Sequence, residues 1–122
     1  ISALDFYTKQ LETAIKELET VVGYLVSVAP EKGLDVYLSD ATLFLEFYGL
    51  IVIAWQWLIQ GIAVQAALSK KCSKKDEQFY NGKMFTLNYF YRYELPKIKG
   101  LATRLRDDDN LTVEMQTQFY ID

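Results

Sequence analysis

Glu46 is the only charged residue between Leu43 and Leu68, and a lone acid in an apolar run is the first place to look for acid–base chemistry. A carboxylate that moves protons needs a second group converging on the same cleft. The sequence offers few. It has no histidine, which removes the commonest general base, metal ligand and pH switch together. Cys72 is the only cysteine, so neither an internal disulfide nor a thiolate metal site can form. There is no HExxH, CxxC, GxSxG or glycine-rich phosphate loop. The carboxylate di-metal sites of helical bundles use Glu-x-x-His pairs and fail for want of histidine. Glu46 is therefore expected to be satisfied by a tyrosine hydroxyl, Lys83 or Arg92. No catalytic, cofactor-binding or metal residue is assigned.

Binding chemistry is equally sparse. A net charge of −3 gives no electrostatic case for nucleic acid. The aromatic ladder Phe79, Tyr80, Phe85, Tyr89, Phe90, Tyr91 and Tyr93 reads as core rather than as a stacking platform for bases. Lys70, Lys71, Lys74 and Lys75 read as a solvated loop, and Cys72 as a bystander thiol in a reduced, cytoplasmic setting. Asn110-Leu-Thr112 fits a glycosylation sequon, a triplet frequent by chance. No basic n-region precedes an apolar stretch as in a signal peptide. The abrupt start at Ile1 suggests a C-terminal fragment of a longer chain, folded as a single domain over 1–122.

The elements that would position these residues have helical period throughout. A first helix is expected over 2–29. Ser2 and Asp5 have capping-box spacing, and Leu4, Leu11, Leu18 and Leu25 recur every seven residues. Pro30 and Gly33 should end it. Phe6 falls on its polar side. A second helix, from residue 34 or 35 to 69, contains the 26-residue apolar run Leu43–Leu68. Two readings are open: a membrane span, which its length and the following lysines allow, or the buried central helix of a bundle. The apolar stripes of the neighbouring helices need a common partner and favour the bundle. The second helix should then be covered on most sides, leaving a narrow strip of Glu46, Gln56 and Gln60 to face solvent or a missing domain. A third helix, opened by Ser73 and Asp76, is expected over 74–95, with Phe85 stranded among Asn81, Asn88 and Arg92. Pro96 should kink or break it, and Ile98, Leu101 and Leu105 carry a fourth helix to about residue 106. A last short helix is expected within 112–120. The expected fold is all-α, an antiparallel up-down bundle of about four helices.

Two stretches carry a resemblance. Ala41-Thr-Leu-Phe-Leu-Glu-Phe-Tyr-Gly49, followed by Leu-Ile-Val-Ile-Ala-Trp55-Gln-Trp57-Leu58, resembles a helix of the extra C-terminal domain of acyl-CoA dehydrogenase-like flavoproteins. The branch it resembles includes the 3-methylmercaptopropionyl-CoA dehydrogenases. Phe79-Tyr80, Lys83, Thr86, Phe90-Tyr91 and Leu95-Pro96 resemble the next helix of that domain at matching spacing. Leu87 departs from the pattern, where a small alanine is expected, and implies local repacking. The resemblance implies a parent oxidoreductase of fatty acid metabolism that carries FAD. The parent would dehydrogenate the α and β carbons of an acyl-CoA thioester and pass electrons to an electron-transfer flavoprotein. The core that holds FAD and the catalytic carboxylate would lie before Ile1, so this fragment would be structural and would hold no cofactor itself. Its expected partners are the dehydrogenase core of the same chain and, in a homo-oligomer, further copies. Phe6 and Phe85 are the expected docking residues. The alternative is a stand-alone helical interaction or dimerisation module.

Overall fold

The computed structural model describes residues 3–33, 35, 38–107 and 119. Its helices are α1 (Asp5–Lys32), α2 (Ala41–Leu68), α3 (Lys74–Tyr89) and α4 (Ile98–Leu105). A π-helical turn (Phe90–Glu94) and a 3-10 turn (Leu95–Lys97) join α3 to α4 into one interrupted rod. The first turn of α1 packs against α3 through Tyr7 and Asn88, while its last turns meet Phe44 and Leu45 at the start of α2. Gly61 faces Leu87, and Ala54 faces Tyr91. Helices consecutive in the chain thus run antiparallel, and the all-α up-down bundle expected from the sequence is the fold.

The core is built from one stripe per helix. Tyr7, Leu11, Ala14 and Val21 come from α1, and Phe47, Ile51, Ala54 and Leu58 from α2. Leu87, Tyr91, Leu95, Ile98, Ala102 and Leu105 complete it from the third rod. Val21, Phe47, Leu87 and Tyr91 are the largest fully enclosed side chains. Truncating a phenylalanine such as Phe47 to alanine costs about 3–5 kcal/mol in a site of this kind.

Pro30 does not end α1, which continues to Lys32. A proline in the last turns removes one donor, and the helix stops where Gly33 takes φ 86°, its N–H bonded to the Ala29 carbonyl. The Ser2 cap lies outside the described residues, and Leu4 occupies the N-cap position without a side-chain bond. In α3 the cap is as expected, with Asp76 N–H donating to Ser73 Oγ at 3.1 Å. The long helix α2 begins at Ala41 after a turn at Ser39 and Asp40. The short helix expected within 112–120 lies outside the described residues apart from Phe119.

The passage around Pro96 has a phase logic. Regular packing alternates steps of three and four residues. Here the inward residues run Met84, Leu87, Tyr91, Leu95, Ile98, Ala102 and Leu105, with two successive steps of four at Tyr91 and Leu95. In a regular α-helix those two steps would carry Leu95 about 80° round from Leu87, to the edge of the core-facing stripe. The π turn absorbs that drift, with Leu95 N–H bonded five residues back to the Phe90 carbonyl. Pro96, which has no N–H and would crowd the Arg92 carbonyl in a regular helix, follows in the 3-10 turn.

Coverage of α2 is the main departure from expectation. Only Phe47, Ile51, Ala54, Leu58, Gly61 and Val64 are buried along it. Leu45 (68% exposed), Tyr48, Ile53, Trp55, Ile59 and Ile62 stand in the open. The other two rods, α1 and the joined α3–α4, enclose one side of α2 and leave apolar surface on the other. The polar strip of Glu46, Gln56 and Gln60 is exposed, as expected.

Candidate docking surface

Phe6 and Phe85 flank a polar junction between α1 and α3. Tyr7 is buried by its ring, which meets Tyr91 edge-on at 5.2 Å. Its hydroxyl emerges to donate to Asn88 Oδ1 at 2.9 Å. Arg92 Nε donates to the same oxygen at 2.8 Å. Asn88 and Arg92 are four apart on one helix strip, so both reach the α1 side. The Arg92 guanidinium then lies over the Phe6 ring, 4.3 Å from its centroid. Phe6, stranded on the polar side of α1 by its register, is therefore paired with a cation and only 36% exposed. Phe85 shares the Asn88–Arg92 strip and stands 76% exposed. The two phenylalanines mark one face, with Phe85 the more open.

Beneath this junction Tyr91 donates to the Ala54 carbonyl at 2.6 Å inside the core. Ala54 is small enough to let a phenol reach its backbone. Burial pushes the Tyr91 hydroxyl well above its ordinary pKa. The group is a fixed structural donor and is closed off from any substrate.

Among the described residues Glu46 has none of the partners expected for it. Lys83 lies over the rings of Trp57 and Phe79, and Arg92 over Phe6. Glu46 is exposed, so water satisfies it, and its charge favours the Lys97 ammonium nearby. Lys97 is raised mainly by its own hydrogen bond to Glu94, at 2.8 Å. That same bond lowers Glu94. The α4 end is tied down by two half-buried ion pairs, Arg104 with Asp40 at 3.4 Å and Arg106 with Glu17 at 3.5 Å.

An apolar groove of about 270 Å³ opens where the end of α1 meets the start of α2. Val22, Leu25, Val26, Phe44, Leu45 and Leu105 line it, with Asp40. Such a lining suits hydrocarbon and repels a pyrophosphate, since Asp40 is its acid and the arginine beside it is already engaged. The groove does not fit FAD. Among the described residues no three acidic, histidine or cysteine side chains converge as a metal site would require.

Comparison with known proteins identifies the domain. The model of a family described as acetyl-CoA dehydrogenase C-terminal like matches residues 1–116. The chain belongs to that family. Neither a curated protein nor a solved structure matches it. Domains of this family are C-terminal companions of a dehydrogenase core in the same chain. This membership agrees with the motif resemblance in α2 and α3 at family level. The exposed side of α2 in this family member was missed by reasoning from apolar content alone. The signal was in the sequence: Leu45, Tyr48, Val52, Trp55, Ile59 and Ile62 follow steps of three and four, a second stripe beside the buried one.

Proposed function

We propose that this chain is the accessory C-terminal domain of an FAD-dependent acyl-CoA dehydrogenase, in the branch that includes the 3-methylmercaptopropionyl-CoA enzymes. In this reading the parent is a cytoplasmic oxidoreductase. It removes hydrogens from the α and β carbons of an acyl-CoA thioester, using a carboxylate base and the flavin N5, and passes electrons to an electron-transfer flavoprotein. The domain itself does no chemistry. It packs on the dehydrogenase core through the Phe6–Phe85 face, with Phe85 entering the core surface and Arg92 holding Phe6 in place. The family match over residues 1–116 carries the reading. The cytoplasmic assignment rests on the single cysteine.

Sequencing the coding region upstream of the Ile1 codon tests the parentage. A reading frame without a dehydrogenase core overturns it. In the full chain, Phe85→Asp should leave the helical signal intact and speed proteolytic release of the domain. An unchanged cleavage rate would remove Phe85 from the docking face.

A further inference from the structure

We propose that the exposed apolar stripe of α2 is the seam of a two-fold dimer, packed antiparallel against the same stripe of a second copy of this chain. The inference goes beyond the accessory-domain reading and uses a different face. Leu45, Tyr48, Val52, Trp55, Ile59 and Ile62 alternate steps of three and four along α2. All but the half-buried Val52 are exposed. That spacing is what a partner helix requires when side chains interlock at shallow crossing angles. An irregular domain surface requires no such regularity.

The order of residue types selects the partner. When the stripe meets itself antiparallel, Leu45 faces Ile62 of the second copy, Tyr48 faces Ile59, and Val52 faces Trp55. Each aromatic ring meets a β-branched aliphatic side chain, and every layer has similar volume. Parallel pairing would set Trp55 on Trp55 and Val52 on Val52, alternating overfilled and underfilled layers. Glu46, the one charge of Ala41–Leu68, lies off the stripe, so like charges do not oppose each other across the seam. The size is also adequate. From Leu45 to Ile62 the helix runs about 26 Å at its usual rise. A face that long and about 20 Å wide, with Val22 and Val26 of α1 at its margin, gives about 500 Å² per copy and about 1,000 Å² in total, the lower bound for a biological interface.

Cysteine cross-linking in the full-length protein tests this without depending on how other domains associate. In a background with Cys72→Ser and every other native cysteine of the full chain replaced, single cysteines at Val52 and at Leu45 are exposed to a short bismaleimide. Residue 52 lies beside the two-fold axis, whereas the two copies of residue 45 lie about 25 Å apart along the helices at the usual rise. The expected result is a covalent dimer for Val52→Cys and not for Leu45→Cys. Adding Ile59→Glu should cut the Val52→Cys dimer yield at least tenfold with an unchanged helical signal. No dimer from Val52→Cys overturns the proposal, as does dimer from both positions, which would mean parallel pairing. Mapping the adduct to another domain of the same chain overturns it equally. None of these results bears on the upstream reading frame or on Phe85, so failure here is separable from failure of the accessory-domain reading.

Discussion

Leu87 fills the space that Gly61 leaves open: a Cβ on Gly61 would lie 2.7 Å from Leu87 Cδ2 and 3.5 Å from Leu4 Cδ2. Leu87 is the position where the family resemblance leads one to expect alanine, and α2 meets the larger side chain with no side chain at all. Bulk at one of the two positions excludes bulk at the other, an exchange across the α2–α3 contact that keeps the helices close and the core filled.

The exchange predicts a coupled pair of substitutions. Alanine in place of glycine inside a helix gains up to about 1 kcal/mol, while overpacking a closed core costs about 1–3 kcal/mol. Gly61→Ala should therefore be net destabilising by about 1 kcal/mol. Gly49→Ala, where a Cβ meets nothing within 4 Å, should stabilise by about 0.5–1 kcal/mol. Leu87→Ala alone leaves a cavity and should cost about 2–5 kcal/mol. Adding Gly61→Ala to Leu87→Ala should recover part of that loss. Urea unfolding of the four variants measures the cycle, and strict additivity would show that the two residues do not share space.

Tyr91 should give the protein an alkaline weakness. Its hydroxyl is held neutral in the core, with its pKa raised above that of the unfolded chain. Folding therefore favours the protonated phenol. The contribution is complete below about pH 10, the unfolded value, and is lost as pH rises above it, by up to about 1.4 kcal/mol per pH unit. Tyr91→Phe should cost about 1 kcal/mol at neutral pH through the lost bond to the Ala54 carbonyl. It should also flatten the decline between pH 10 and 11 relative to the parent. Equal slopes in both proteins would refute the assignment of Tyr91 as the titrating group.

Asn88 is predicted to act as a hub. Its Oδ1 accepts from both Tyr7 and Arg92, and Arg92 in turn covers Phe6. Asn88→Leu leaves the Tyr7 hydroxyl without its acceptor and frees Arg92 to swing away. The expected loss is about 1–3 kcal/mol, the cost of an unsatisfied polar group near the core. Tyr7→Phe in the same background should restore part of it, because no donor is then left unpaired. Thermal unfolding of the single and double variants decides this.

The helices and the Ser73 cap were legible in the sequence because period and capping are local properties of the chain. The end of α1 was less so, since a proline near a C-terminus removes a bond that the helix can do without. The coverage of α2 was misjudged for a different reason. Apolar content reports what a helix could bury, whereas what it buries depends on how many neighbours the bundle supplies. The two other rods supply neighbours for the Phe47–Val64 stripe and not for the Leu45–Ile62 stripe. Phe6 illustrates the same limit on the site. Its register alone marks it as stranded, and the cation that covers it comes from Arg92, 86 residues later in the chain.

The phase slip at Tyr91 and Leu95 predicts which residue the third rod can lose. The Leu95 N–H to Phe90 carbonyl bond of the π turn spans one residue more than an α-helical bond does. Tyr93 lies in that turn and is 66% exposed. Deleting it should let the segment close into a regular α-helix with steps of four and three, leaving Leu95, Ile98 and Leu105 facing inward. Pro96 would then crowd the preceding turn, so the deletion is made together with Pro96→Ala. This double change should cost less than about 2 kcal/mol, in the range of ordinary single substitutions. Deleting Thr86, an exposed residue in the regular part of α3, has no surplus to absorb. It rotates the helix by about 100° beyond that point and should remove most of the stability of the domain. Circular dichroism during urea unfolding compares the two deletions. Equal losses would mean that the π turn is fixed by Tyr93 itself or by other local contacts, and not by the surplus residue.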